Sequence, residues 1–233
     1  MRASPTAAFF DVDGTILEGN IVRYYAYLRT CKMNRLQKAL WVTLFLPKVP
    51  YYMLLDAFSR RRFSQAFYRN YTNLSPTQLD GLVQDHFRAL MQPRIYPGSL
   101  DQLRQHRDRN DLIVLVTNSL EALVKPLADQ IQASATLAPR LCQQDGAFTG
   151  ELEGGPLTDR SKAEAIVSFS RERQLDLSRC YAYADSLDDI PMLETAGHAR
   201  VVNPGRRLRK IALAKNWKIL IWNLGEDKKE RTS

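Results

Sequence analysis

Cysteine is scarce: Cys31, Cys142 and Cys180 are the only three in the chain, and they form neither a CxxC pair nor an even set. That excludes a disulfide framework and fits a reducing, cytoplasmic compartment. Histidine is equally sparse. His86, His106 and His198 are its three, and none stands beside an acidic motif, so a zinc centre is not expected. Also missing is any uninterrupted apolar run of about 18 residues, the length a spanning helix needs. Ala39 to Leu55 comes nearest, but Pro47, Lys48 and Pro50 interrupt it, which leaves a buried or interfacial segment. The opening MRASPTAAFFDVDG has too few apolar residues ahead of its acids to form a signal-peptide core. Negative charge is in deficit too. A formal net charge of +8 favours anionic partners in general: phosphate esters, acidic membrane surfaces or nucleic acid. Charge alone does not choose among them.

What is present is a globular composition, with 45% hydrophobic and 25% charged residues over a length able to bury a sizeable core. Short apolar runs recur and end in polar groups: Ala7 to Val12, Leu112 to Val116 ending at Thr117, Cys180 to Ala184 ending at Asp185, and Ala199 to Val202. Between them lie helical patterns at Leu120 to Gln132, Lys162 to Gln174, Asp188 to Ala196 and Arg206 to Ala214. This alternation predicts an α/β fold, a Rossmann-like parallel sheet with helices on both faces and ligands at the carboxyl ends of the strands. The stretch from Ile16 to Pro97 offers helices and no clear strand, so it reads as an α-helical cap of residues 17–97 inserted after the first strand of a core formed by 1–16 and 98–233. Gln144 to Leu152, with Asp-Gly and Thr-Gly, reads as a hairpin. The closing GEDKKERTS reads as a frayed polar end.

Four segments carry chemistry. Asp11-Val12-Asp13-Gly14-Thr15 follows an apolar strand, where residues two apart point the same way and Gly14 allows a sharp exit. Adjacent aspartates are also ordinary in solvated turns. Asp185-Ser186-Leu187-Asp188-Asp189 repeats the arrangement; Asp189 can face back toward Asp185, whereas Asp188 reads as a first-turn acid favoured by the helix dipole. Thr117-Asn118-Ser119 leads into a helix and offers a hydroxyl and amides to phosphate, although a helix cap has the same letters. Lys162 stands at a helix start, where a cation opposes the dipole and needs another reason to be there. Carboxylates gathered at one sheet edge repel unless a cation lies among them, and oxygen donors without His or Cys point to Mg²⁺.

These four pieces, in this order and with roughly this spacing, resemble the motifs of the haloacid dehalogenase (HAD) superfamily of hydrolases over about Phe9 to Asn203. The resemblance is closest to the phosphoserine-phosphatase-like branch, whose helical cap follows the first motif and which has a hairpin similar to DGAFTGELEG. It implies a phosphatase in which Asp11 is the nucleophile that becomes an aspartyl phosphate, and Asp13 the general acid and then base. By the same resemblance Thr117 and Asn118 hold phosphate, Lys162 neutralises it, and Asp11, Asp185 and the Asp13 carbonyl hold Mg²⁺ with Asp189 supporting the shell. The negative charge near Asp13 is expected to raise its pKa.

Phosphoserine phosphatases of this branch carry a cap glutamate nine residues after the nucleophile, and here that position is Asn20. A neutral amide cannot pair with an ammonium as a carboxylate does, so the resemblance implies another phosphorylated substrate. The segment Ile21 to Leu40 interleaves Arg23, Arg29, Lys32, Arg35 and Lys38 with apolar residues; Trp41 to Leu55 is apolar and aromatic, and Arg60-Arg61-Arg62 follow. Such a basic amphipathic stretch suits an anionic membrane surface and equally an ordinary helical bundle. A lipid-linked or amphiphilic phosphate is the expected substrate, as for the phosphatidylglycerophosphate phosphatases of this superfamily, and nucleic acid is not expected. The alternatives are a soluble small-metabolite phosphatase, a phosphotransferase or mutase, and a silent phosphate- or lipid-binding module. Trp217 to Trp222 suits either an interface or a closing strand.

Overall fold

The computed structural model describes residues 5–225. The first four residues of the opening stretch, and the polar end from 226 onward, lie outside the described residues. Strands β1 (Ala7–Phe10), β2 (Leu112–Val116), β3 (Ala135–Leu137), β6 (Tyr181–Ala184), β7 (His198–Val202) and β8 (Lys218–Leu220) form one sheet in the order β3-β2-β1-β6-β7-β8; β4 (Leu141–Gln144) and β5 (Ala147–Leu152) pair separately. Every pairing in the large sheet is parallel and β4 pairs with β5 antiparallel.

The near-continuous apolar runs follow from burial on both faces. Along β1, Ala8 and Phe10 join one apolar cluster while Ala7 and Phe9 join the other. On the first face pack α6 (Pro97–Asp108) and α7 (Glu121–Gln130), through Leu103, Leu123, Val124 and Leu127. On the second pack α8 (Arg160–Glu172), α9 (Ile190–Thr195) and α10 (Arg206–Ala214), through Ile166, Phe169, Met192, Leu193, Leu208 and Ala212. Each such fully buried large side chain stabilises the fold by roughly 1.5–3 kcal/mol.

Between β1 and α6 run α1 (Ile21–Thr30), α2 (Arg35–Phe45), α3 (Lys48–Phe58), α4 (Arg60–Tyr68) and α5 (Pro76–His86). Capping starts several of them: Asn34 and Ser75 form capping boxes with Gln37 and Gln78, and Asn20 and Ser59 each accept a backbone N–H. Their aromatic interior of Tyr24, Tyr25, Phe63, Phe67, Tyr68 and Tyr71 is continuous with the first sheet face. Two crossing segments pair where this insertion leaves and rejoins the sheet: Glu18 N–H donates to the Arg94 carbonyl at 2.9 Å and Tyr96 N–H to the Ile16 carbonyl at 3.0 Å. The β4–β5 hairpin braces the insertion, with reciprocal backbone bonds from Asn73 to Phe148 and from Phe148 to Leu74.

The apolar stretch Ala39 to Leu55 divides at Leu46 and Pro47 between α2 and α3, and no helix among the described residues is long and apolar enough to cross a membrane. Trp217 to Trp222 contributes the closing strand β8. The short strand β3 was not apparent from the sequence, because three half-buried residues between Ser134 and Pro139 show no period.

Candidate active site

The sheet order places β1 between β2 and β6, so the residues that follow these three strands, Asp11, Thr117 and Asp185, lie side by side at one edge. This is where the strand order reverses and a crevice opens beyond the carboxyl ends. Asp11 N–H donates to the Tyr183 carbonyl at 2.9 Å and carries the parallel ladder one residue past β1.

Asp11 and Lys162 are both 5% exposed. Lys162 Nζ donates to Asp11 Oδ1 at 2.7 Å and to Asp189 Oδ1 at 2.6 Å. An isolated lysine cannot be buried at low cost, and its position at the start of α8 is explained by these two carboxylates. Burial pulls the ammonium pKa down, yet Asp11 and Asp189 outweigh it and hold the group well above its ordinary value. Burial pushes Asp11 far up despite Lys162, and Asp189 and Asp185 add to the rise. Burial, then Asp189, carries Asp185 up to about 6.

Asp11, Asp185 and Asp189 each offer an oxygen, and these oxygens all lie within 4.8 Å of one another. Three buried or half-buried carboxylates against one lysine leave an excess of negative charge. Gly14 lets Asp185 into this space: its φ is +90°, and a Cβ there would stand 2.2 Å from an Asp185 oxygen. Thr15 Oγ1 donates to Asp185 at 3.2 Å and Ser186 Oγ to Asp189 at 2.8 Å, fixing both rotamers. All-oxygen donors, crowding and unbalanced charge fit a hard divalent cation.

Asp13 has a different environment. The Tyr24 hydroxyl donates to its Oδ1, and Ser119 Oγ donates to its Oδ2 at 2.6 Å. Its pKa is raised by burial, against the lowering effect of these hydrogen bonds. The sequence-based expectation assigned that rise to neighbouring negative charge; Lys162 and Arg60 supply positive charge there instead, and desolvation is the cause. Thr117 Oγ1 accepts the Ser119 N–H at 3.0 Å and keeps its own proton to donate. Asn118 Nδ2 donates to Ser64 Oγ at 2.7 Å and its carbonyl accepts from Tyr68, so this residue ties the β2 tip to α4.

Asp188 also departs from expectation. It lines the cavity in a short 3₁₀ turn, Leu187–Asp189, ahead of α9, where burial raises its pKa. Sequence reasoning missed Tyr24, Ser119, Thr15, Ser186 and Arg60. Arg60, held by Asp56 at 2.9 Å, reaches from α4 into the cavity of about 190 Å³ that Asp11, Asp13, Thr117, Lys162 and Asp185 line. Its place in a run of three arginines concealed this, since nothing in the sequence distinguishes it from Arg61 and Arg62.

A buried lysine bridging aspartates at a parallel-sheet edge, beneath a helical insertion, defines a class of hydrolase. Residues 8–194 match the haloacid dehalogenase-like hydrolase family, and the chain belongs to it. It is similar to the inhibition of morphological differentiation protein of Streptomyces azureus, 32% identical over 92% of this chain and 78% of that one. It is 30% identical to a probable phosphatase of Mycobacterium tuberculosis, over 92% of this chain and 75% of the relative. A phosphoserine phosphatase of the same organism is also 30% identical, over 91% and 70%. Among solved structures, a protein of unknown function from Bordetella pertussis superposes with a TM-score of 0.79 at 22% identity over 96% of this chain and all of that one. A phosphoserine phosphatase carrying a phospho-aspartyl intermediate analogue superposes with a TM-score of 0.66 at 15% identity over 94% of each chain. At these identities the structures speak for the fold. Family and relatives together make the chain a hydrolase of the phosphatase type.

Proposed function

We propose that the chain is a Mg²⁺-dependent phosphomonoesterase that works through an aspartyl phosphate on Asp11. The observation that carries this reading is the Lys162 ammonium set between Asp11 and Asp189 with Asp185 in reach. In this reading residues 1–16 and 98–233 are the catalytic core and 17–97 the cap. Asp11, Asp185 and the Asp13 carbonyl would hold Mg²⁺, with Asp189 behind them. The ion, when bound, supplies positive charge against the phosphate oxygens.

The chain's own residues carry the steps. The Asp11 oxygen not engaged by Lys162 attacks phosphorus, and the bond from phosphorus to the ester oxygen breaks. Asp13, whose burial favours its protonated form, gives its proton to the leaving oxygen. Asp13 then takes a proton from water, whose oxygen attacks phosphorus and releases inorganic phosphate from Asp11. Thr117 Oγ1 and the amides after it donate to phosphate oxygens, and Lys162 meets the charge that builds there.

The leaving group is read from the recess beside the cavity. Asn20, Ile21 and Arg60 line both spaces, and the recess, of about 230 Å³, continues among Val22, Val49, Tyr52, Met53 and Phe63. The Asn20 side chain is occupied in capping α1, accepting the Arg23 N–H at 2.9 Å. An apolar recess and a committed amide favour an amphiphilic or lipid-linked phosphate, met at an anionic membrane surface, over phosphoserine.

The relative named a phosphoserine phosphatase supports the second reading, a small-metabolite phosphatase. Phosphate release measured with Mg²⁺ and with EDTA, across alkyl phosphates, phospholipid monoesters, sugar phosphates and phosphoserine, separates the two. The expected result is EDTA-sensitive turnover with kcat/KM rising with alkyl length. Turnover highest on phosphoserine would overturn the substrate reading, and full activity of Asp11→Asn the aspartyl-phosphate one.

A further inference from the structure

Helix α2 is anomalous: none of its eleven residues is buried. It turns Trp41 and Phe45 toward Tyr25, with ring centroids 6.1 and 5.9 Å away, and this aromatic side attaches the helix to the cap. Its other side carries Leu36, Leu40 and Leu44 at intervals of four, 80%, 60% and 67% exposed. The next helix repeats the arrangement. Tyr52 of α3 is buried inward, while Tyr51, Leu54 and Phe58 fall on one helical face, with Phe58 79% exposed. Scattered exposed apolar residues are ordinary; two adjoining stripes of them are not.

We propose that the consecutive helices α2 and α3 form a docking face for an anionic lipid surface. Charge selects this occupant. Not one acidic residue lies between Glu18 and Asp56, whereas Lys32, Arg35, Lys38 and Lys48 fall among the stripes and Arg60, Arg61 and Arg62 follow. The single acid of the region, Asp56, is paired with Arg60. Cations flanking an apolar helical face match phospholipid headgroups above acyl chains. A second copy of the chain would instead bring cations against cations. Continuity points the same way: Val49 and Met53 of α3 line the apolar recess that shares Asn20, Ile21 and Arg60 as walls with the cavity over Asp11. What the surface delivers to that cavity rests on the phosphomonoesterase reading; the contact itself does not.

The test is vesicle flotation of the full chain, with phosphatidylglycerol–phosphatidylcholine vesicles, with phosphatidylcholine alone, and at low and high salt. The expected result is partition onto the anionic vesicles, at least about tenfold weaker on phosphatidylcholine or at high salt. The variant L40Q/L44Q/F58Q, altered only at exposed positions, should lose at least tenfold of that partition. Its turnover of p-nitrophenyl phosphate should stay at the wild-type rate. R35E/K38E should lose a similar factor by a different route. No flotation of the wild type, or unchanged flotation of both variants, overturns the proposal. So does a concentration-dependent dimer in sedimentation equilibrium that L40Q/L44Q/F58Q dissolves, because the face then belongs to a second copy. Asp11→Asn should float as the wild type does. Turnover absent in every assay with flotation intact refutes the phosphomonoesterase reading and leaves the docking face standing.

Discussion

A group that gives a proton to a leaving oxygen and then takes one from water, the role proposed for Asp13, must be both desolvated and aimed, and Asp13 is both. Burial favours its acid form, while Tyr24 and Ser119 hold one oxygen each. Asp13→Asn should therefore lower kcat by about 10²–10⁴-fold. The loss should be smaller for a p-nitrophenyl ester than for an alkyl ester, because a good leaving group needs less protonation; steady-state kinetics on the two esters checks this. Gly19 supplies a sharper test of aim. A Cβ there would stand 1.8 Å from the Tyr24 hydroxyl and 2.8 Å from Asp13 Oδ1. Gly19→Ala should push Tyr24 aside and cost roughly 10–100-fold in kcat, since misplacement of about 1 Å has that effect, together with about 1–3 kcal/mol of stability from overpacking against a buried ring. Such partners were invisible in the sequence, whereas Asp11, Thr117, Lys162 and Asp185 stood out. Strand tips and helix starts announce themselves by local pattern. The contact of Ser119 with Asp13 joins residues 106 apart, and no local pattern encodes it.

Helices and strands were legible in proportion to how much of their environment is local. The runs LIVLV and AAFF read as buried strands, and both pair in the parallel sheet. Helices α1 and α2 show similar basic amphipathic patterns, yet α1 buries Ile21, Tyr24, Tyr25 and Leu28 while α2 buries nothing. Which apolar face finds a partner is decided by tertiary packing, which periodicity does not contain. Helix α5 holds a titratable liability of the same tertiary origin. His86, in its last turn, lies edge-on to Tyr24 and Tyr27, with neither ring nitrogen hydrogen-bonded. Burial lowers its pKa to about 4. A base whose folded pKa lies below its unfolded value of about 6.5 favours folding fully above that pH, and the contribution fades as pH falls toward 4. The neutral ring thus supports the helical insertion by roughly 3 kcal/mol at pH 7 relative to acid. His86→Leu should remove this sensitivity, so that urea midpoints at pH 7 and pH 4 differ less in the variant than in the wild type.

Across the whole molecule, the two halves of the core meet at a point of excess negative charge, and the stability of the entire fold is coupled to what neutralises it. Asp185, with a folded pKa near 6, is ionised at pH 7 against the preference of its surroundings. A raised acid destabilises the metal-free fold above its folded pKa, and the cost vanishes once pH falls below its unfolded value near 4. On the proposed reading a divalent cation would remove the same cost at neutral pH by binding the folded chain alone. At a Mg²⁺ concentration 100 times its dissociation constant the gain is about 2.7 kcal/mol, which for a chain of this size means a rise in melting temperature of roughly 5–10 °C. EDTA should reverse it. Asp185→Asn should behave oppositely in both states: more stable than the wild type without metal, because one repelling carboxylate is gone, and nearly indifferent to added Mg²⁺, because a donor is gone as well. Differential scanning calorimetry of the two proteins at pH 7, with and without the ion, reads both signs at once. An equal Mg²⁺ shift in wild type and variant would place the ion elsewhere and detach Asp185 from metal binding.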